Sequence, residues 1–563
     1  MKAKAASIAA LLAILVFATW LRGHTLGGTI RDRFGAAPYP VVARAEPLDC
    51  DEAIYAYIGK RLVAGDVMYR DLTENKPPLG YWIYAIAVTI GGANETCIRL
   101  MPLPFVLATI ALAWWIAGRV AGPIAAVSSA LIYAVMSTDP YVYGNGANME
   151  HFLNLFSTSA LALLLLDGNR RRAVFAAGVC VGLASLVKQV GAVPIVVIAA
   201  SLPWRHPVGP GRSRAVFGDL LAMMSGFVAP WLVSTIILIA QGAGPAAFAD
   251  IVRYGGALAK DTPRDPLQYS FFVRMVAGNT DPVGILPWPF GITNGRAWWA
   301  AGAWPLWGVS IPALVAALLP GARSDGRSWL VGGWLVASWV AVALPGLFWQ
   351  HYYMLALPGV AILVGRALGM SVKGAFAPNA GTISRLGSLV AALIIVGAIA
   401  QTIRIQVRDY LFVTPEQITT RYKGGGQWVV LREVGRELGR RTKGWDSPHL
   451  AVWGIQSPLN FYSGLDNVTP QVFTDPLVSA FPDGSHPQVG HRLDRTIRDY
   501  RARRPELIFV GERPFPALAE FLREDYTNSR LTLRGWTLPF TPDGRGLWVR
   551  RDRARSLSDG PLD

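Results

Sequence analysis

The chain of 563 residues is 52% hydrophobic and 16% charged, with positive mean hydropathy and 20 tryptophans. That balance excludes a disordered chain or an ordinary soluble domain and fits an integral membrane protein with a soluble part. The formal charge of +16 does not point to nucleic acid, because much of the Lys and Arg lies in short loops between apolar runs or near the C-terminus. The three cysteines, Cys50, Cys97 and Cys180, cannot form a disulfide framework or a metal knuckle. A Cys50–Cys97 bridge across the first outer loop is conceivable; three unpaired small residues is the plainer reading.

The apolar run Ala5–Leu21 follows Met-Lys-Ala-Lys, and no Ala-x-Ala site comes promptly after it. It reads as an uncleaved first helix with its N-terminus in the cytoplasm. Further runs sit near 99–117, 123–138, 152–166, 173–187, 191–204, 217–240, 298–319, 329–344, 354–368 and 385–402. Together they predict a mainly α, polytopic transmembrane helical bundle of about eleven spans, several shorter than the ~20 residues that comfortably cross a bilayer. Alternation places five loops inside, and they carry Arg119; Arg170, Arg171 and Arg172; Arg205, Arg212 and Arg214; Arg323 and Arg327; and Arg366, Lys373 and Arg385. Their only acids are Asp167 and Asp325, so the loops obey the positive-inside rule. The large non-cytoplasmic segments are then 24–98, 241–297 and everything after about 403.

From 403 onward the character changes. An amphipathic helix is expected over 428–441, a strand at 449–453, a helix at 458–463, a strand at 506–510, a helix at 516–522 and a closing strand at 544–549. The alternation predicts a small C-terminal α/β domain outside the cytoplasm. The chain thus divides into a transmembrane domain, 1–402, and an extracytoplasmic domain, 403–563. Gly424-Gly425-Gly426 follows no strand, lacks dinucleotide-binding spacing and reads as a flexible connection.

The polar motifs cluster in the outer segments. Asp51 and Glu52 begin a helix, where the macrodipole stabilises anions, and Tyr55, Ile58 and Leu62 recur on one face of it. Acids are common in a helix's first turn as caps, so the pair alone does not establish chemistry. Lys76-Pro77-Pro78 is more specific: the prolines forbid helix at Lys76 and hold its ammonium in a rigid turn, as suits a phosphate at headgroup level. A lysine there can also simply snorkel. The segment 79–90 is short and reads as an interfacial helix anchored by Tyr81, Trp82 and Tyr84. In the next outer loop Glu150-His151 opens a span, an ionisable pair that could contact an acceptor or ligate a divalent cation. Gln350-His351-Tyr352-Tyr353 ends another span and suits a phosphate, a sugar or an interfacial aromatic belt, while Lys188 stands between two apolar runs. The topology predicts that these groups converge on one side of the membrane, around an amphipathic substrate with an anionic head.

DEAIYAYIGKRL followed by YRDLTENKPPLGYW resembles the signature region of the GT-C glycosyltransferases. The branch resembled is that of bacterial relatives of protein O-mannosyltransferases and of lipid A aminoarabinose transferases. AGVCVGLASLVKQVGAVPI, QHYYMLALPGVAIL and VWGIQSPLNFYSGLDNVTP extend the likeness over most of the chain. The resemblance implies transfer of a sugar from a polyprenyl-phosphate carrier to an acceptor hydroxyl outside the cytoplasm, with inversion, at a bacterial inner membrane. It implies Asp51 as general base, with Glu52 beside it; Lys76 as the leading phosphate ligand, with Arg70 and His351 behind it; and Glu150, His151, Tyr55 and Tyr353 as acceptor or metal candidates. The resemblance fixes no required cofactor and leaves a divalent cation, Mg or Mn, as a candidate. The implied partners are the lipid-linked sugar, a glycan, lipid or protein acceptor, and membrane lipids. A multi-span transporter or flippase is the alternative; the lack of repeated halves and the one-sided polar motifs weigh against it.

Overall fold

A backbone in hydrocarbon must satisfy its own hydrogen bonds, which leaves the helix as the form open to these apolar runs. The computed structural model describes residues 2–27, 45–166, 170–262, 303–319, 326–347, 349–423, 425–529, 532–533, 536–537 and 544–558. Within them each apolar run carries a helix: Lys2–Arg22, Leu103–Ala121, Pro123–Met136, Glu150–Leu164, Arg170–Val187, Ile195–Ser201, Arg212–Ala240, Trp304–Leu318, Gly326–Ala343, Leu357–Ala375 and Thr382–Gln406. Among the described residues, five helical stretches are long and apolar enough to cross a membrane: Ala5–Leu26, Glu95–Ala121, Arg212–Ala240, Gln350–Ala375 and Thr382–Leu411. Leu79–Gly91, Pro123–Met136, Gln189–Arg205 and Trp304–Leu318 are shorter apolar helices. The expected outer segment 241–297, the first outer loop and the inner loops at 167–172 and 320–328 lie partly outside the described residues.

Two compact units emerge. One gathers Met1–Glu46, Arg99–Ser234 and Arg264–Lys423; the other gathers Pro47–Ile98, Thr235–Pro263 and Gly424–Asp563. Hydropathy divides the chain near 402, whereas contacts group most of the first outer loop with the C-terminal segment.

In the first unit, Leu103–Ala121, Pro123–Met136 and Leu357–Ala375 pack together, and Glu150–Leu164 pairs with Arg170–Val187. Gly178 and Gly182 bring the last of these against Arg212–Ala240 so closely that a Cβ at either would collide with the carbonyl of Met223 or Phe227. This is the small-residue packing by which helices associate without a hydrophobic driving force. Helix faces differ accordingly. The most apolar window of Gln350–Ala375 is 78% buried, while that of Arg212–Ala240 is 28% buried and leaves Phe217, Leu221, Val228, Leu232 and Ile236 exposed. An apolar face open along a long helix is a face for lipid.

The second unit is an α/β assembly. Its strands are β1 (Leu450–Trp453), β2 (Leu507–Val510), β3 (Tyr526–Ser529), β4 (Thr532–Leu533), β5 (Trp536–Thr537) and β6 (Gly546–Arg550). The main sheet runs β1-β2-β6-β3, with β1 parallel to β2 and β6 antiparallel to both β2 and β3; β4 and β5 pair separately. Side chains alternate across the pleat, so each face has its own core. Ala451, Trp453, Ile508 and Val510 pack with Leu493 and Tyr500 of the helix Pro487–Arg503 and with Leu518 and Phe521 of the helix Pro516–Asp525. Leu450, Val452, Leu507, Phe509, Leu547 and Val549 pack with Trp428, Leu431 and Leu438 of the helix Gln427–Arg441. Cys50 packs at the edge of the second core, which seats the start of the helix Cys50–Val63 there. That helix lies on Leu79–Gly91, and Gly59 permits the approach: a Cβ there would stand 2.9 Å from the Tyr84 carbonyl carbon. Cys50, Cys97 and Cys180 are free thiols. Gly424 lies outside the described residues, and Gly425 takes φ 88°.

Candidate functional site

In the second unit the helix Cys50–Val63 begins with a reciprocal capping box. The Asp49 carboxylate accepts from the Glu52 backbone N–H at 3.0 Å, and the Glu52 carboxylate accepts from the Asp49 N–H at 3.0 Å. The cap is therefore Asp49 rather than Asp51. Glu52 is fully buried with its carboxylate engaged in the box, so its geometry is that of a structural residue. Asp51, relieved of capping, is half-buried in the first turn. Tyr55 and Ile58 are buried, so the predicted stripe faces protein.

The Lys76 turn closes on this helix. Its ammonium stands 5.4 Å from the Tyr55 ring centroid and 5.9 Å from that of Phe473, the distances of cation–π contacts. It donates to Glu74 Oε1 at 3.3 Å, and Glu74 is itself sealed from solvent. Tyr55 in turn meets Tyr81 and Tyr84 edge-on, each at 5.7 Å. The turn is held from behind by Tyr69, whose hydroxyl donates to the Lys76 carbonyl at 2.8 Å. Tyr69 adopts φ 69°, a left-handed conformation that costs a non-glycine residue energy and persists only where surrounding contacts enforce it. Burial pushes the Cys50 thiol well up, aided by Asp51 and opposed by Lys76, so both charges act on one neighbourhood. Tyr55, Glu74, Lys76 and Tyr81 thus form one cluster of acid, cation and phenols, within electrostatic reach of Asp51.

Arg70 is placed differently. It is half-exposed, forms an ion pair with Asp71 at 2.8 Å and donates to the Gln241 carbonyl at 3.2 Å. It lines a polar cavity whose wall does not include Lys76. Beyond the turn, Asp250 receives Arg492 at 2.7 Å, yet burial raises its carboxyl to about 6. Arg492 also lies flat on Tyr254, 3.4 Å from the ring centroid, and the Tyr254 hydroxyl donates to Asp475 at 2.7 Å.

The first unit holds the remaining candidates. Glu150 opens the helix Glu150–Leu164 and meets Lys188 at 2.6 Å, with both side chains buried. The Lys188 ammonium sits 4.1 Å over the Tyr352 ring. His351 Nε2 is 3.9 Å from the same Glu150 oxygen, and its ring meets Tyr352 edge-on at 4.7 Å. Glu150, Lys188, His351 and Tyr352 are therefore one buried cluster. His151 faces away from it, its Nε2 3.0 Å from Arg22 Nη2 and 2.9 Å from the Gly144 carbonyl oxygen. Tyr353 packs edge-on against Trp339 at 5.8 Å. A second ionic knot in the same unit joins residues far apart in the chain: Glu46 meets Lys423 at 2.9 Å and Arg99 at 3.7 Å, all fully buried, with Asn145 and Thr419 also donating to Glu46.

As arranged, Glu150 and His151 do not fit a divalent cation. The Glu150 carboxylate is already matched by an ammonium that a metal would have to displace, and His151 shares its nitrogen with a guanidinium. Among the described residues, no three His, Cys, Asp or Glu side chains gather closely enough to hold a metal.

Sequence reasoning passed over Glu74, although it stands two residues before Lys76 in the same motif. It left Lys188 without a partner; an ionisable group between two apolar runs was the available signal. Phe473 had no local signal, since only the fold brings it to the turn.

Residues 75–239 match the family model described as dolichyl-phosphate-mannose-protein mannosyltransferase. The chain is also similar to the solved structure of ArnT from Cupriavidus metallidurans in the apo state, at 17% identity and TM-score 0.57, covering 99% of this chain and 100% of that one. The same protein bound to undecaprenyl phosphate gives 17% identity and TM-score 0.52, covering 97% of each chain. AglB, an oligosaccharyltransferase from Archaeoglobus fulgidus solved with an inhibitory peptide and a dolichol-phosphate, gives 11% identity and TM-score 0.49 over 89% of this chain and 69% of that one. No curated protein sequence matches significantly. The resemblance to GT-C glycosyltransferases read from the motifs is borne out, and the likeness to ArnT, at this identity, is one of fold.

Proposed function

We propose, with the GT-C resemblance as premise, that this membrane protein transfers a sugar from a polyprenyl-phosphate carrier to an acceptor hydroxyl on the non-cytoplasmic side. The observation that carries the reading is the Lys76 turn: an ammonium held between two aromatic rings and Glu74, with the half-buried Asp51 within electrostatic reach of the same neighbourhood. The family match begins at residue 75, one residue before that lysine. The basic inner loops support the sidedness, because they put the first outer loop opposite the cytoplasm.

The chemistry divides between the two charges. Asp51 takes the proton of the acceptor hydroxyl as its oxygen attacks the anomeric carbon. The carbon–oxygen bond to the carrier phosphate breaks, and the electron pair leaves with the phosphate. One displacement inverts the anomeric centre. The leaving group is already an anion of a fairly strong acid, so it needs electrostatic stabilisation rather than protonation, and Lys76 supplies it. Glu74 keeps the ammonium in place. The acceptor is a glycan, a lipid or a protein.

The test is transfer of labelled sugar from polyprenyl-phosphate donors to envelope fractions by the purified full chain. Mass spectrometry of envelope glycans with and without the protein identifies the product. Asp51→Asn should lower transfer by about 10²-fold or more with folding intact; near-normal turnover would sink the base assignment. Lys76→Ala should raise the KM for donor far more than for acceptor, and equal effects on both would argue against a phosphate contact.

A further inference from the structure

Two adjoining cavities in the second unit lie outside the Asp51–Lys76 cluster and share Thr469, Pro470 and Arg495 as a common wall. One, about 200 Å³, borders the Lys76 turn through Tyr69 and Thr73 and is lined by Asp250, Gln471 and Arg492. The other, about 160 Å³, is lined by Arg61, Arg70, Arg495 and Arg503 together with Asp499 and Asn467. Each is roomy enough for a sugar ring.

Charge accounting separates the arginines. Arg61 is matched by Asp66 at 2.5 Å, Arg70 by Asp71 at 2.8 Å, and Arg492 by Asp250 at 2.7 Å. Arg495 and Arg503 are exposed, and among the described residues neither has a carboxylate within 4.0 Å. Arg495 donates only weakly, to the Arg70 carbonyl at 3.3 Å. Asp499, between them, has a buried carboxylate oxygen with no hydrogen-bond partner. The helix Pro487–Arg503 explains the grouping: Arg492, Arg495, Asp499 and Arg503 recur at spacings of three and four residues, so one face presents them all. The walls therefore offer amide and hydroxyl groups for ring hydroxyls and two guanidiniums without a close ion pair, set against the single Asp499 carboxylate between them, so that a net positive charge remains for an anion. Planar guanidiniums pair bidentately with carboxylate or phosphate.

We propose that these cavities form the acceptor-saccharide site, and that Arg495 and Arg503 select a saccharide bearing a carboxylate or phosphate. The word acceptor rests on the transferase reading; the binding chemistry does not. The protein would then modify an acidic glycan or glycolipid headgroup, approached along the face of the helix Pro487–Arg503.

The test uses the full chain in a non-glycosidic detergent, with saturation-transfer NMR and titration against glucuronate, glucose 6-phosphate, glucose and inorganic phosphate. The expected result is at least tenfold tighter binding of glucuronate or glucose 6-phosphate than of glucose or inorganic phosphate. The glucuronate and sugar-phosphate arms identify which anion is read. Arg495→Gln combined with Arg503→Gln should erase the preference while leaving the unfolding midpoint unchanged. Equal binding of glucose, inorganic phosphate as tight as the sugar phosphate, no binding at all, or an unchanged preference in the double variant would each overturn the proposal. Asp51→Asn should bind the acidic sugars normally. If wild type binds them yet transfers nothing, the transferase reading fails and the saccharide site stands.

Discussion

Asp51 and Glu52 are neighbours of like charge with unlike situations. Reciprocal bonds with Asp49 commit Glu52 to starting a helix, whereas the Asp51 carboxylate takes no part in that box. Sequence alone could not separate them, because either acid is a plausible first-turn residue and the cap is chosen by the path of the chain before it. Lys188 and Glu150 show the converse. Both were visible as ionisable groups near apolar runs, but only the fold makes them a pair, at 2.6 Å and out of water. Removing one partner of a buried pair strands the other charge, so Lys188→Ala should cost about 3 kcal/mol of stability. Replacing both, as Lys188→Met with Glu150→Leu, should cost clearly less. Denaturant unfolding of the two variants in detergent checks this; equal losses would mean that the pair is not the relevant unit.

At the scale of elements, the helices were legible wherever hydropathy or amphipathicity was strong. Pro458–Ser463 falls where expected, and β1, β2 and β6 differ from expectation by a residue or two. The helix Pro487–Arg503 was missed: it is densely charged and buries only Val489, Leu493, Thr496 and Tyr500. Their spacing of four, three and four residues is helical and was the usable signal. β3 was missed too, since its burial does not alternate and it gains strand character by pairing with β6. Helix contact carries its own prediction. Gly59→Val places a side chain against the Tyr84 backbone and should cost about 2 kcal/mol by overpacking. Gly256, also helical, has open space at its Cβ position, so Gly256→Ala should be neutral or stabilising by up to about 1 kcal/mol. Thermal unfolding of both variants distinguishes local crowding from a general intolerance of glycine replacement.

For the whole molecule, the basic loops predict where the C-terminal segment resides: reporter fusions placed after residue 410 should give a non-cytoplasmic signal. A cytoplasmic signal would overturn the sidedness proposed for transfer. By itself the sequence determined the membrane class, the helical nature of the apolar runs, the α/β character of the tail and the Lys76-Pro77-Pro78 turn. Hydropathy, alternation and proline stereochemistry are local, and a local pattern needs no knowledge of distant residues. Only the tertiary structure decided which groups meet. Phe473 reaches Lys76 from far along the chain, Lys188 finds Glu150, and the loop bearing Asp51 joins the C-terminal segment in one unit. Those pairings depend on how buried charge is neutralised and how side chains fill space. Neither constraint is written in the spacing of a single stretch.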